Sequence, residues 1–159
     1  MNVFVIMPFD SEFDAVYRDL IKHPLENAGY TVSRADDPSD NTVFYENIYD
    51  QIVLNLWDAD YIIADLTGSN PNVTYELGIA HTLNKRTIQI SQTLDLMFDI
   101  KSQNVIPYIV DGDHRSGLTR KLLSVIERAE QGNYVFSNMV SNFARIASRQ
   151  IITQPTARK

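Results

Sequence analysis

Short apolar segments alternate with amphipathic helical patterns along most of this 159-residue chain. Five of these segments are too short for buried helices and rich in β-branched or aromatic residues, so each predicts a strand. They are residues 3–7, 30–33, 61–65, 87–91 and 105–110. Alternation of strands and helices almost without exception is typical of an α/β fold with a parallel sheet and helices on both faces. Because crossovers are right-handed, the flavodoxin-like (Rossmann-like) strand order 2-1-3-4-5 is the simplest arrangement, and Pro107 favours an edge position for strand five.

Apolar residues at helical spacing predict the covering helices. One helix is expected from about residue 44 to 57, with an inward face formed by Ile48, Ile52, Val53, Leu56 and Trp57. Gly132 is expected to stop the last helix of the main domain, which we place at residues 1–132. Residues 133–159 are predicted to add a C-terminal helix, carrying Phe136, Val140, Phe143 and Ile146, and a frayed tail, packed on the same domain.

The composition excludes several classes of protein. A formal net charge of -6 argues against binding to duplex nucleic acid, and the absence of cysteine excludes disulfides and thiolate chemistry. His23, His81 and His114 are scattered without metal-ligand spacing, so neither a metal nor another cofactor is expected. No apolar run approaches the roughly 20 residues of a membrane span, and the N-terminus resembles a strand rather than a signal peptide. We therefore expect a cytoplasmic protein without a membrane partner.

The third predicted strand leads into the most informative part of the chain. In an open α/β sheet, ligands bind beyond the carboxyl ends of the strands where the strand order reverses, here between strands one and three. Two segments should meet there, and we predict that their residues bind a substrate. They are Met7, Pro8, Phe9 and Asp10 after strand one, and Thr67, Gly68, Ser69, Asn70 and Asn72 after strand three.

Glu76 and Asp65 are the carboxylates with candidate catalytic roles. Glu76 would lie about one turn into a helix, where the positive end of the dipole favours the ionised form by about 0.3–1 kcal/mol. Such a carboxylate can attack a sugar anomeric carbon, but acids are also common in first turns for the sake of the dipole alone. Asp65, at the end of a strand, could accept hydrogen bonds from ribose hydroxyls or cap the loop that follows.

Three further features of this stretch each allow two interpretations. The backbone amides of residues 67–70 could hold a phosphate, although the loop is neither a Rossmann fingerprint nor a P-loop. Phe9 could stack on a base or pack against its own loop. His81 is most simply a helix-surface or core histidine, with a functional role as the alternative.

The full motif carries a resemblance to a known family. It reads Asp60-x-x-x-x-Asp65-Leu66-Thr67, followed by Asn70-Pro71-Asn72-Val73-x-Tyr75-Glu76-Leu77-Gly78-x-Ala80. Together with the Met7-Pro8-Phe9 turn, it resembles the nucleoside 2-deoxyribosyltransferase-like superfamily, in its TIR-like and nucleotide N-glycosidase branch, over roughly residues 3 to 110. The resemblance implies that Glu76 is the nucleophile that attacks the anomeric carbon. It also implies a site completed in a homo-oligomer, a dimer or larger.

The chain departs from the family pattern at its second acid. The family typically has one about eight residues before the acid that begins strand three, where this chain has Ile52, with Asp50 nearby. The transferases also favour an acid shortly before the nucleophile, where this chain has Asn70 and Asn72. The general acid is therefore unassigned.

Three functions follow as hypotheses. The first is cleavage or transfer of an N-glycosidic bond in a nucleoside or nucleotide by Glu76. The second keeps this chemistry with NAD as the substrate, in the manner of TIR-like enzymes. The third is a non-catalytic nucleotide-binding sensor or interaction module.

Overall fold

The computed structural model describes residues 1–37, 48–93, 105–110 and 115–153. Within these residues the strands form one five-stranded parallel sheet in the order β2-β1-β3-β4-β5. The strands are β1 (Asn2–Ile6), β2 (Thr31–Arg34), β3 (Tyr61–Asp65), β4 (Arg86–Ser91) and β5 (Val105–Pro107). The predicted α/β flavodoxin-like fold and its strand order are confirmed. β5 lies at the edge and ends at Pro107, which has no amide hydrogen to donate to a further strand.

Helical segments cover both faces of the sheet. They are a turn of 3-10 helix (Ser11–Phe13), a π-helical segment (Val16–Lys22), α1 (His23–Asn27), α2 (Ile48–Asp58), α3 (Pro71–Thr82), α4 (Arg115–Glu130) and α5 (Met139–Thr153). Successive side chains of a strand point to opposite faces, and the core divides accordingly. On one face Val3 and Val5 pack with the π-helical segment, α1 and α4. On the other, Phe4 and Ile6 pack with α2 and α3.

β3 is the strand on which both halves of the core depend. All five of its residues are buried, and its neighbours are β1 on one side and β4 on the other. Tyr61 and Ile63 face one core cluster, whereas Ile62 and Ala64 face the other. A strand that is apolar on both faces can be satisfied only between two layers of helices, which agrees with the sequence pattern.

The inward face predicted for α2 is narrower than expected. Ile52 and Leu56, four residues apart, are buried against the sheet, but Trp57 is 63% exposed and Val53 is 45% exposed. At about 100° per residue, the row that contains Val53 and Trp57 turns away from the sheet. The prediction of an inward Val53 and Trp57 is therefore wrong. The predicted first turn, residues 44–47, lies outside the described residues.

The C-terminal helix exists as predicted and begins with a polar cap. The side chain of Asn138 accepts a hydrogen bond from the Ser141 amide at 2.8 Å, and the Ser141 hydroxyl accepts one from the Asn138 amide at 3.0 Å. α5 lies against α3, yet Val140, Phe143 and Ile146 are exposed. Phe136, expected to continue this row, precedes the helix and packs edge-on against Tyr61. The predicted frayed tail lies almost entirely beyond the described residues.

In the described parts of the chain, no helix combines the length and apolar character that a bilayer crossing requires. The predicted cytoplasmic location stays a prediction.

Two leucines of α2 test which face of this helix packs on the sheet. Leu56 is fully buried, whereas Leu54 is 39% exposed. We expect Leu56→Ala to lower the free energy of unfolding by about 2–5 kcal/mol, because it leaves a cavity between helix and sheet. Leu54→Ala should cost less than about 1 kcal/mol. Urea denaturation measures both, and equal losses would contradict the observed orientation of α2.

Candidate functional site

A cavity of about 490 Å³ opens beyond the carboxyl ends of β1 and β3, on the face of the sheet covered by α2 and α3. Its described lining comes from the turn after β1, from α2 and from the first half of α3. These residues are Met7, Pro8, Phe9, Ile52, Val53, Asn70, Asn72, Val73, Tyr75, Glu76 and Ile79. Most of them are apolar or aromatic. A small number of polar groups in a largely apolar cavity is typical of sites for small molecules.

The beginning of α3 is fixed by local interactions. Gly68 has a φ of 71°, a left-handed conformation that glycine adopts without strain, and the chain then turns into the helix at Asn70. The Asn70 side chain caps the helix by accepting hydrogen bonds from the Asn72 amide at 2.9 Å and the Val73 amide at 3.4 Å. Pro71 occupies the first turn, where its missing amide hydrogen costs nothing. This start determines which residues of α3 face the cavity.

Glu76 is the carboxylate that lines this cavity among the described residues. Its side chain is half-buried, and no hydrogen bond joins it to another described residue. Burial raises the pKa of Glu76 from 4.5 to about 7, because desolvation penalises the charged form. The pKa of Glu76 is therefore shifted in the opposite direction from the one expected from the helix dipole alone. Glu76 is the sixth residue of α3, beyond the first turn where the dipole acts most strongly.

Asp65 lies at the end of β3 and is fully buried. Its Oδ1 accepts hydrogen bonds from the Thr67 amide at 3.0 Å and the Thr67 hydroxyl at 2.6 Å, and its Oδ2 accepts one from the Tyr108 hydroxyl. Burial raises the pKa of Asp65, while the hydrogen bonds from Thr67 and Tyr108 partly oppose that shift. Of the two interpretations of Asp65, the structure supports the capping of the loop.

The side chains that donate to Asp65, those of Thr67 and Tyr108, also connect this loop to the ends of β4 and β5. The Thr67 hydroxyl accepts a hydrogen bond from the Gln92 amide at 2.9 Å, and the Gln92 side chain donates to the Tyr108 hydroxyl at 3.0 Å. The Thr67 and Ser69 amides bond to Asp65 and to the Leu66 carbonyl, so two of the four amides expected to hold a phosphate are already used.

The structure brings together part of the predicted site. Of the predicted residues, those that line the cavity are Met7, Pro8, Phe9, Asn70, Asn72 and Glu76. Those outside its described lining are Asp10, Asp65, Thr67, Gly68 and Ser69. The apolar wall was missed: Ile52, Val53, Val73, Tyr75 and Ile79. Helical spacing from Glu76 could have found Val73 and Ile79, three residues before and after it, whereas the contribution of α2 depends on how that helix crosses the sheet.

Phe9 also lines a second cavity, of about 510 Å³, on its other side. There Arg34 is buried and pairs with Asp14, at 2.9 Å from Nη2 to Oδ1, and with Asp36. Its guanidinium lies 4.5 Å from the centre of the Tyr17 ring. Nε and Nη2 are thus paired with acids, whereas Nη1 is buried without a hydrogen-bond partner among the described residues. Phe9 is half-exposed between the two cavities rather than packed into its own loop.

His81 lies outside the described lining of the cavity. His81 is buried, lies 3.3 Å from the Thr87 hydroxyl through Nε2, and has a pKa lowered by burial. This environment is that of a structural histidine. Within the described ranges, no three His, Cys, Asp or Glu side chains are grouped closely enough to hold a metal ion.

No protein-family model matches the chain, and no curated protein matches it. Solved structures do match. A 2-deoxyribosyltransferase from the psychrotolerant bacterium Bacillus psychrosaccharolyticus is 15% identical, with a TM-score of 0.56 over 75% of this chain and 90% of that one. The CMP N-glycosidase BcmB of Clostridium botulinum is 21% identical, with a TM-score of 0.55 over 77% of this chain and 99% of that one. At these identities the likeness is one of fold, and it confirms the fold that the resemblance implied.

The raised pKa of Glu76 predicts how stability depends on pH. Between pH 4.5 and about 7 the folded state binds more protons than the unfolded state, so stability falls as the pH rises through this window. Glu76→Gln carries no charge to desolvate. We expect this variant to be more stable than the wild type by about 1–3 kcal/mol at pH 8, with the gain vanishing near pH 4.

Urea denaturation at the two pH values measures this difference. Glu12→Gln, at an exposed position, controls for the change in net charge. A gain for Glu76→Gln that is the same at both pH values would contradict the assigned shift.

The hydrogen bond from Tyr108 to Asp65 predicts a second effect on stability. Tyr108→Phe keeps the ring but leaves one oxygen of a buried carboxylate without a donor. We expect a loss of about 1.5–3 kcal/mol, the range for hydrogen bonds to charged groups. Tyr75→Phe, at a residue that is 74% exposed, is the matched control and should cost little. Equal effects in thermal unfolding would show that Asp65 does not depend on Tyr108.

Proposed function

We propose that this chain cleaves or transfers the N-glycosidic bond of a nucleoside or nucleotide, with Glu76 as the nucleophile. The observation that carries the proposal is the position of Glu76: a half-buried carboxyl, without a hydrogen bond to another described residue, in the wall of a cavity large enough for a nucleoside. The fold supports it, since the structures it resembles include a 2-deoxyribosyltransferase and a CMP N-glycosidase. The lining offers an aromatic ring and amide side chains beside the carboxyl, which suits a base and a sugar.

The proposed reaction has two steps. An oxygen of ionised Glu76 forms a bond to C1′ of the sugar while the bond from C1′ to the base nitrogen breaks, and its electron pair leaves with the base. Solvent water supplies the proton that the base takes up. In the second step the oxygen of a water molecule attacks C1′, the ester bond to Glu76 breaks, and the proton returns to solvent. In transfer, a nitrogen of a second base attacks in place of water.

The other cavity residues are assigned to binding. Phe9, which is half-exposed, would stack on the base, and Asn70 and Asn72 would orient the sugar. Asp65 would act indirectly, because its hydrogen bonds hold the loop from which α3 starts. Met7 and Pro8 would form the apolar floor between these groups.

Ionisation of Glu76 sets the expected pH dependence. Only the carboxylate attacks carbon, and its pKa of about 7 leaves a large fraction of the free protein protonated at neutral pH. We therefore expect kcat/KM for base release to rise with pH through about 7 and to level off above it. Glu76→Gln should lower kcat by about 10³-fold or more, since the amide cannot form the glycosyl ester. Glu12→Gln controls for net charge.

A chromatographic assay of free base measures this activity. The substrate panel contains ribonucleosides, 2′-deoxyribonucleosides, their 5′-monophosphates and NAD. Retention of activity by Glu76→Gln on a substrate that the wild type cleaves would refute Glu76 as nucleophile. Release of nicotinamide without release of nucleobases would select the NAD hypothesis. Ligand-induced thermal stabilisation without turnover on any substrate would select the non-catalytic module.

A further inference from the structure

Arg34 is a buried cation whose hydrogen-bonding capacity is only partly used. It ends β2, and its side chain is 7% exposed. Nε donates to Asp36 Oδ1 at 2.5 Å, and Nη2 donates to Asp14 Oδ1 at 2.9 Å and to Asp36 Oδ2 at 3.1 Å. Nη1 is buried without a partner among the described residues. This nitrogen has lost its water without gaining an acceptor, which is unfavourable for a donor that carries charge.

The described lining of the second cavity, of about 510 Å³, carries balanced charge. Apart from His23, three cationic and three acidic side chains line it. They are Arg18, Lys22 and Arg34, and Asp14, Asp36 and Asp37. Lys22 pairs with Asp37, and Arg18 pairs with Asp19 beside the cavity. Neither an anion nor a cation meets an excess of opposite charge there, so a neutral ligand fits the cavity best.

An available acceptor lies beside the available donor. Asp14 accepts from Arg34 through Oδ1, and its Oδ2 makes no hydrogen bond to another described residue. The Asp14 side chain is 53% exposed and lines the cavity, so a ligand can reach it. Nη1 and Oδ2 belong to the two halves of one ion pair, and a group that both accepts and donates matches them. A hydroxyl does both, whereas an ionised phosphate or carboxylate oxygen only accepts.

The aromatic side chains of this cavity favour a sugar over a nucleobase. Tyr17 is buried, and the Arg34 guanidinium lies 4.5 Å from the centre of its ring, so a ligand cannot stack on that face. Phe9 is half-exposed and supplies the apolar surface that a ligand can contact. A base has two apolar faces, whereas a sugar has a face of C–H groups and a rim of hydroxyls. One open aromatic ring among charged side chains matches the sugar.

From these contacts we propose that the second cavity is a sugar-binding site. A sugar hydroxyl accepts a hydrogen bond from Nη1 of Arg34 and donates one to Oδ2 of Asp14, while C–H groups of the ring pack on Phe9. Nη1 is already desolvated, so this hydrogen bond forms without removing water from it. The sugar is a free monosaccharide or the sugar of a glycoside. The inference is independent of the proposed catalysis, because Glu76 lines the other cavity.

A titration of the protein with sugars, followed through the NMR shifts of its backbone amides, tests the proposal. This method measures weak binding and shows where the ligand lies. The probes are ribose, glucose and their methyl glycosides. We expect saturable shifts concentrated in residues 9–14 and 34–36. Binding of the free sugars alone identifies a free monosaccharide as the ligand, and binding of the methyl glycosides identifies the sugar of a glycoside.

Asp14→Asn is the main variant. It keeps a carbonyl oxygen for Arg34 but replaces the available acceptor by an N–H donor, which repels the proton of a hydroxyl. We expect Kd to rise about 10-fold or more, the loss of one hydrogen bond to a charged group. Glu12→Gln, at an exposed residue two positions earlier, removes the same charge and should leave Kd unchanged.

Arg34→Lys tests the donor, since it keeps the charge and removes Nη1. We expect Kd to rise about 10- to 100-fold. Arg34 also connects Asp14 to Asp36, so the thermal unfolding of this variant is measured first. If the variant does not fold, the half-exposed Asp14 decides the question alone.

Several results would overturn the inference. One is the absence of saturable shifts with every sugar, and another is an unchanged Kd in folded Asp14→Asn. Shifts confined to residues 72–79 would place the sugar in the cavity of Glu76 instead. Inorganic phosphate and uracil are the competing probes, and binding of either one at residues 9–14 without binding of any sugar would show an anion site or a base site. Sugar binding by a protein that releases no base would uphold the inference and refute the proposed catalysis.

Discussion

The buried carboxylate of Asp65 is the interaction on which the site depends. A carboxylate withdrawn from water is costly unless donors replace the solvent, and here Thr67 supplies two and Tyr108 supplies one. These donors come from the loop after β3 and from the segment after β5. The same group therefore joins the central strand to the edge of the sheet and folds the loop that leads to Asn70. The start of α3, and with it the direction of Glu76, follows from that loop.

Asp65 and Glu76 show how position separates two chemically similar groups. Burial raises the pKa of both groups. Hydrogen bonds to both oxygens of Asp65 oppose this rise, whereas Glu76 accepts none from the described residues. A carboxylate whose lone pairs are used by the protein serves the structure. A carboxyl that is half-buried and unpartnered has its lone pairs available for a ligand, at a cost in stability above neutral pH. This contrast underlies the assignment of Glu76, rather than Asp65, to the reacting position.

The cavity itself results from the two-sided core. β1 sends Val3 and Val5 to one layer of helices and Phe4 and Ile6 to the other, so its carboxyl end emerges between the layers. The chain that follows, through Phe9, then separates a largely apolar cavity on the α2 and α3 side from a polar one beside Arg34. The acids of the polar cavity are paired with cations, Asp14 and Asp36 with Arg34 and Asp37 with Lys22. Glu76, by contrast, faces mostly apolar neighbours.

The sequence by itself determined the fold and predicted the residue at the centre of the candidate site. Apolar runs of strand length, alternating with helical patterns, leave few arrangements other than a parallel sheet with two covered faces, and β3 was predicted at its observed bounds, Tyr61–Asp65. The Tyr-Glu-Leu-Gly motif likewise singled out Glu76. Only the tertiary structure decided what surrounds it. Three features depend on how the helices cross the sheet. Val53 lines the cavity, Asp65 lies outside its described lining, and burial raises the pKa of Glu76. Desolvation and long-range hydrogen bonds, such as that from Tyr108 to a carboxylate 43 residues earlier, arise between segments that local pattern does not relate.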